Sequence, residues 1–91
     1  MTPNINSSVI VVLTQPIEVG NEYIDTITLR RPKGKDMKGL SAAMTTGDMM
    51  KMAAKLSGNL PVVFDEMDSY DVTQVLQEVG NFFTSGPTTG A

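Results

Sequence analysis

The stretch that decides the fold is PIEVGNEYIDTITLRRP, residues 16–32. Gly20 comes first in a two-residue loop, which is typical of a type II′ turn between antiparallel strands. β-Branched and apolar residues dominate residues 9–13 before the loop and residues 23–29 after it. The stretch therefore predicts a β-hairpin. Because proline cannot donate a ladder hydrogen bond, Pro16 predicts an edge strand or a bulge, and the proline at the end of the stretch closes the second strand.

The second predicted strand does not have a clean inner face. Ile27 and Leu29 share their parity with Tyr23, whereas Ile24 has the opposite parity. Since alternate residues of a strand point to opposite faces, a bulge near Asp25 or partial burial of both faces is needed to reconcile them. The threonines between these positions are expected on the more exposed face.

Helical periodicity follows the hairpin. The apolar spacing predicts a first helix over residues 35–43, a second capped by Thr46 that ends before Gly58, a third over residues 61–66 and a fourth capped by Asp68. The fourth has the strongest pattern and is expected to supply core contacts through Val72, Val75, Leu76, Val79 and Phe82. The sequence thus predicts an α+β fold, an N-terminal two-stranded antiparallel β-hairpin followed by three to four α-helices.

The 91 residues suffice for one small domain, which we expect to span residues 9–83. The polar residues 1–8 predict a disordered N-terminus, and residues 84–91 predict a flexible tail.

Charge is distributed unevenly along the chain. All seven basic residues lie within residues 30–55, which contain two acidic residues and so carry 7 − 2 = +5. Residues 56–91 carry five acidic residues and no basic one, or −5. This asymmetry indicates a basic and an acidic face, and hence a charged partner or self-association. The alternative is that the two halves of the domain pair with each other.

The composition argues against enzymatic chemistry. There is no histidine or cysteine, and no nucleophile or phosphate-loop motif, so we expect no catalytic residue and no cofactor. DEMDSYD, residues 65–71, gathers four carboxylates, but its spacing suits the start of a helix, with Asp68 capping and Asp71 facing the helix dipole, better than a metal site.

Nucleic acid and membranes are also disfavoured as partners. The chain is acidic overall, and no aromatic residue interleaves with the basic ones. No apolar run has the length of a membrane span, no signal peptide is visible, and the lack of cysteine suits a reducing cytoplasm.

Methionine is concentrated beside the basic residues. Five of the seven methionines lie within residues 37–52. Methionine is flexible and polarisable, so such a region can fill a small core or accept varied apolar partners, and the sequence leaves both alternatives open. Met50 lies off the apolar stripe of the second predicted helix and is the better candidate for an exposed contact.

Several segments together resemble one family. They are the Pro-Ile pair before the glycine turn, ITLRRP at residues 27–32, Asp36 followed by an apolar residue, AAKLSGNLP at residues 53–61, and the acidic start of the last helix. This combination resembles the phage tail assembly chaperones of Mu-like and related contractile-tailed temperate phages and prophages. The resemblance covers roughly residues 12–83.

The resemblance implies a non-enzymatic protein of the host bacterial cytoplasm. Such a protein binds the tape measure protein, keeps it soluble, promotes assembly of the tail tube and is absent from the mature virion. The tail tube protein and a second copy, bound through the hairpin edge, are further expected partners. The alternative is a small structural subunit of the phage tail or of head completion. The residues that we predict to bind the partner are Met50, Lys51, Lys55, Arg30 and Arg31.

Overall fold

The computed structural model describes residues 8–40 and 43–84. These residues form, in order, strands β1 (Ser8–Val19) and β2 (Glu22–Arg30), a 3-10 turn (Gly34–Met37), and helices α1 (Thr46–Ser57), α2 (Pro61–Glu66) and α3 (Ser69–Thr84). Within this part of the chain the predicted α+β fold is confirmed, with an antiparallel hairpin and three α-helices. Of the predicted terminal segments, Ser8 begins β1 and Thr84 ends α3; residues 1–7 and 85–91 lie outside the described residues.

The hairpin turn has the predicted geometry. Gly20 has a φ of 64°, in the left-handed region, and Asn21 after it has a negative φ. This sign pattern is that of a type II′ turn, whose twist matches that of the strands it joins. Pairing runs from Val19 and Glu22 next to the turn to Ser8 and Arg30 at the open end.

The hairpin contains a large bulge in β1. Val12 pairs with Thr26, and the next pair is Ile17 with Ile24. Four residues of β1, 13–16, therefore lie opposite the single residue Asp25. The sequence predicted an irregularity near Asp25, and the structure places the extra residues in the opposite strand, where a proline lies among them.

This bulge explains the mixed face pattern of β2. It shifts the register by three residues, and because three is odd, the inward-facing parity of β2 changes across it. Ile27 and Leu29, on the open-end side of the bulge, are buried. Ile24, on the turn side, is also buried, while Tyr23 is 64% exposed. The irregularity that the sequence predicted near Asp25 therefore accounts for the opposite parities of Ile24 and Ile27.

One face of the hairpin packs on the three helices. Helix α1 contacts β2 and α3, while α2 and α3 contact β1. In α3, Val75, Val79 and Phe82 are buried as predicted, whereas Val72 and Leu76 are half-buried at the margin of the core. The shared core consists of Leu13, Ile24, Ile27, Leu29, Met52, Ala53, Ala54, Leu56, Val63, Phe64, Met67, Val75, Val79 and Phe82.

The helix predicted over residues 35–43 is wrong. The chain makes one 3-10 turn, Gly34–Met37, and leaves it at Lys38, whose backbone is extended. Gly39 follows with a φ of 82°, which is incompatible with a right-handed helix. Each glycine in a helix interior costs about 1 kcal/mol relative to alanine, which weakens this segment. Met37, which lies within that predicted helix, is 51% exposed, and residues 41–42 lie outside the described residues.

Candidate functional site

Helix α1 carries both lysines that were predicted to bind the partner, Lys51 and Lys55, and its ends are well defined. Asp48 N donates to Thr45 Oγ1 at 3.1 Å, and Thr45 N donates to Asp48 Oδ2 at 3.0 Å. The Thr45 amide, which donates to the carboxylate, and then the Thr45 side chain beside it lower the pKa of Asp48. The cap lies one residue before the predicted Thr46. Gly58 ends the helix in the left-handed conformation with a φ of 75°, as predicted.

The two faces of α1 differ in chemistry. The inward face buries Met52, Ala53, Ala54 and Leu56 against the hairpin and α3. Lys51 and Lys55 are exposed and lie four residues apart, so they are stacked one turn from each other. This arrangement presents two ammonium groups along one line of the helix surface.

Met50 is neither fully exposed nor part of the buried core. Its side chain is half-buried and packs against the core at the margin of α1, as Met49 does. The sequence places Met50 off the apolar stripe, whereas in the structure part of its side chain is covered by the core. Its remaining exposed surface adjoins the lysines in sequence.

A cleft of about 330 Å³ lies between α1 and the segment that follows the 3-10 turn. Three lysines and one aspartate give it a formal charge of 3 − 1 = +2, and Leu40 and Met52 supply apolar surface. Among the described residues, none of these lysines forms an ion pair with a carboxylate. The lining residues are Lys38, Gly39, Leu40, Asp48, Lys51, Met52 and Lys55.

An internal ion pair holds the turn beside this cleft. Arg30 donates to both carboxylate oxygens of Asp36, at 2.8 and 2.9 Å, and Lys33 N donates to the same carboxylate at 2.8 Å. Asp36 is 3% exposed. The Arg30 guanidinium, and then the Lys33 amide, hold the pKa of Asp36 far below its usual range, and the nearby charge of Lys55 adds to this effect. The pair anchors the segment that carries Lys38 and Leu40 to the end of β2.

Arg31 is also engaged within the chain. Its guanidinium donates to the Phe82 carbonyl oxygen at 3.2 Å and lies 5.6 Å from the centroid of the Phe82 ring. This contact ties the end of β2 to the last turns of α3 through a cation–π interaction. The structure thus gives both predicted partner-binding arginines, Arg30 and Arg31, contacts inside the fold.

Asp71 joins α3 to β1, in addition to its predicted place at the start of its helix. It is fully buried, and its carboxylate lies against the β1 bulge. Thr14 N donates to both oxygens at 3.0 and 3.1 Å, Thr14 Oγ1 donates at 3.0 Å, and Gln15 N donates at 3.1 Å. Burial raises the pKa of Asp71, but the amides of Thr14 and Gln15 and the Thr14 hydroxyl outweigh it, so the pKa lies below its usual value.

Asp71 does lie in the first turn of α3, as predicted, and its carboxylate also accepts from β1 across the fold. The bulge frees two backbone N–H groups of β1, and both donate to the carboxylate. Asp68 does act as the predicted cap, accepting from Tyr70 N at 2.9 Å.

The structure brings no metal-binding constellation together in residues 8–40 and 43–84, where no group of three or more acidic side chains could hold an ion. In the same ranges, no helix combines the length and the apolar character that a bilayer crossing requires.

Two features of the site were missed from the sequence. Lys38 and Leu40 were placed in a helix, so their meeting with α1 across a cleft was not foreseen. The Asp71–Thr14 contact joins residues 57 positions apart, and no local pattern signals it.

Comparison with known protein families identifies the family to which the chain is similar. A family model described as "Phage tail assembly chaperone proteins, E, or 41 or 14" matches residues 11–84. No curated protein matches the chain, and no solved structure does.

Proposed function

The chain belongs to the phage tail assembly chaperone family, and on that premise we propose that it binds the tape measure protein. In this proposal it keeps the long client soluble in the host bacterial cytoplasm, promotes assembly of the tail tube around it, and leaves before the virion is complete. The role is one of binding and release, without catalysis.

The observation that carries this proposal is the surface of α1 at the basic cleft. Lys51 and Lys55 are exposed one turn apart, and the half-buried Met50 lies beside them. Apolar, adaptable contacts supply affinity, while unpaired charges steer encounter and set register. We propose that Met50, Lys51 and Lys55 contact the client. Arg30 and Arg31, which the fold engages, contribute by holding the neighbouring segments in place.

The outer face of the hairpin supports the proposed further partners. Ile10 is 64% and Val12 71% exposed on the face opposite the helices. Within residues 8–40 and 43–84, the two-stranded sheet also leaves the outer edge of each strand without a ladder partner. We propose that a second copy of the chain pairs here, and that the tail tube protein replaces it as the tube grows.

The test is co-expression with the tape measure protein encoded by the same phage. We expect the client to be soluble and to co-purify with the wild-type chain. The double variant Lys51→Glu/Lys55→Glu should lose the client while keeping its own thermal midpoint. Lys33→Glu/Lys35→Glu makes the same change in net charge at exposed positions outside the cleft and should retain the client.

Purified virions provide an independent test of whether the chain leaves before the particle is complete. The proposal requires that mass spectrometry detect the chain in infected-cell extracts and not in mature particles. Stoichiometric persistence in particles would show instead a structural tail or head-completion subunit. A tape measure protein that stays insoluble with the wild-type chain would contradict the chaperone function itself.

A further inference from the structure

The cleft between α1 and the Lys38–Leu40 segment combines unpaired cations with an apolar floor. Among the described residues, Lys38, Lys51 and Lys55 make no ion pair. The neighbouring carboxylates are already engaged: Asp36 binds Arg30, and Asp48 binds the Thr45 cap. Arg30 neutralises Asp36, whereas Asp48 keeps its charge in the lining, so the three lysines leave a formal charge of 3 − 1 = +2 for a ligand.

The apolar part of the cleft defines what else a ligand must carry. Met52 is 2% exposed and forms its floor, while Leu40 is half-buried at its wall. A fully solvated anion would leave this surface in contact with water. A ligand that places an apolar side chain between its carboxylates covers both parts of the cleft.

The spacing of the lysines defines the form of the ligand. Lys51 and Lys55 are four residues apart on α1, about 6 Å along the helix axis. Carboxylates four residues apart on a second helix have the same separation. A helix laid along α1 can therefore place one carboxylate near each lysine and its intervening apolar side chain toward Leu40.

From this geometry we propose that the cleft binds an acidic amphipathic helix of the client, with two carboxylates one turn apart on Lys51 and Lys55 and an apolar side chain in contact with Leu40 and Met52. Lys38 closes the far side of the cleft and contacts a further carboxylate. This inference rests on the proposed client-binding function and specifies its chemistry. Lysine suits the role because its ammonium group is a mobile point charge that does not demand the planar geometry an arginine pair requires.

A polyanion is the less suitable ligand for this cleft. Asp48 contributes a negative charge to its lining, and the whole chain carries a net charge of −3. Nucleic acid and phosphate would meet that repulsion without using the apolar floor.

The test uses the full chain and three synthetic helical peptides of about 15 alanine-rich residues, a length at which such helices begin to form. The first carries two glutamates at i and i+4 with a leucine between them. The second replaces the glutamates by glutamine, and the third replaces the leucine by alanine. Binding is measured by fluorescence anisotropy and mapped by amide chemical-shift changes.

We expect the first peptide to bind at least roughly tenfold tighter than either of the others at low ionic strength, and to weaken as salt is added. Shifts should centre on Lys38–Leu40 and α1. Lys51→Glu/Lys55→Glu should lose roughly tenfold or more in affinity, while Lys33→Glu/Lys35→Glu should lose less than about threefold.

Equal binding of the glutamate and glutamine peptides would overturn the inference, as would shifts confined to another surface. Tighter binding of inorganic phosphate or of an oligothymidylate would also overturn it, and would identify an anion site of a different class. If the peptides fail while co-expression still keeps the tape measure protein soluble, the chemistry of the cleft is wrong and the chaperone function stands. If co-expression fails with the wild-type chain, the proposed function is wrong whatever the peptides do.

Discussion

Replacing Asp71 by asparagine tests the buried hydrogen bonds between α3 and the hairpin. The carboxylate accepts from the Thr14 amide, the Thr14 hydroxyl and the Gln15 amide, at 3.0–3.1 Å. Asparagine has nearly the same shape, but one of its two terminal groups is an NH₂ donor. One oxygen position therefore no longer accepts. At the Oδ1 position the NH₂ faces the Thr14 N–H, and its one acceptor is the Thr14 hydroxyl, which must rotate away from its present bond.

The magnitude follows from this loss. A hydrogen bond to a charged group contributes about 1.5–3 kcal/mol, and a buried donor left without an acceptor costs about 1–3 kcal/mol. Because the site can relax, we expect Asp71→Asn to lower the free energy of unfolding by about 2–4 kcal/mol. For a domain of this length that corresponds to a thermal midpoint lower by roughly 8–30 °C. It is a large share of the roughly 5–14 kcal/mol that such domains possess.

The dependence on pH gives a second signature of the same contact. The pKa of Asp71 is lowered in the folded state, so its ionised form stabilises the fold above the unfolded pKa of about 3.9. This contribution is lost as the pH falls from about 4 toward the lower, folded pKa. The difference in stability between wild type and Asp71→Asn should therefore be full at pH 7 and shrink below about pH 4.

The assay is thermal unfolding followed by circular dichroism from pH 7 to about pH 2.5, where most of the unfolded-state aspartates are protonated. Asp65→Asn is the matched control, because it removes the same charge from an exposed position. We expect its midpoint to lie near that of the wild type at every pH. An Asp71→Asn variant within about 0.5 kcal/mol of the wild type at pH 7 would refute the reasoning, since that is the range of ordinary surface substitutions.

Three further predictions concern the ion pair, the core and a helix end. Arg30→Gln should raise the pKa of Asp36 toward its ordinary range, which a carboxyl-detected NMR titration measures; an unchanged pKa would mean that the guanidinium is not its main partner. Phe64→Ala should lower the free energy of unfolding by about 3–5 kcal/mol in urea denaturation, because Phe64 is 1% exposed; a cost below about 1 kcal/mol would place it outside the core. Gly58→Ala should cost about 1–2 kcal/mol in the same experiment because its φ is 75°, whereas Gly34→Ala, with a negative φ and open space around it, should be neutral or stabilising; equal effects would contradict the backbone argument.

Part of this protein could be predicted because the relevant interactions are local. The glycine-first turn sets the hairpin through the φ of one residue, Gly20. The C-terminal end of α1 at Gly58 and the start of α2 at Pro61 follow from the conformations that glycine and proline allow. The buried stripe of α3 follows from a period of 3.6 residues. Each of these signals involves residues within one or a few turns of each other.

The candidate site could be predicted in part for the same reason. Lys51 and Lys55 share one line of α1 because of their spacing, and the structure keeps them exposed. The cleft itself could not be predicted, because Leu40 and Lys38 reach it from a segment that the apolar spacing assigned to a helix. Arg30 overrides that spacing by drawing Asp36 into an ion pair at the end of β2.

The tertiary structure decided which partners the buried carboxylates have. From the sequence, Asp71 could interact with the first turn of its own helix. Asp36 could lie on the surface of the helix predicted over residues 35–43. A carboxylate binds the donors that lie within about 3 Å and that no other acceptor satisfies, and packing brings such donors to it from Thr14, 57 positions away. Local sequence determines which donors and acceptors a chain offers, whereas their pairing depends on distances that exist after the hairpin and the helices have packed together.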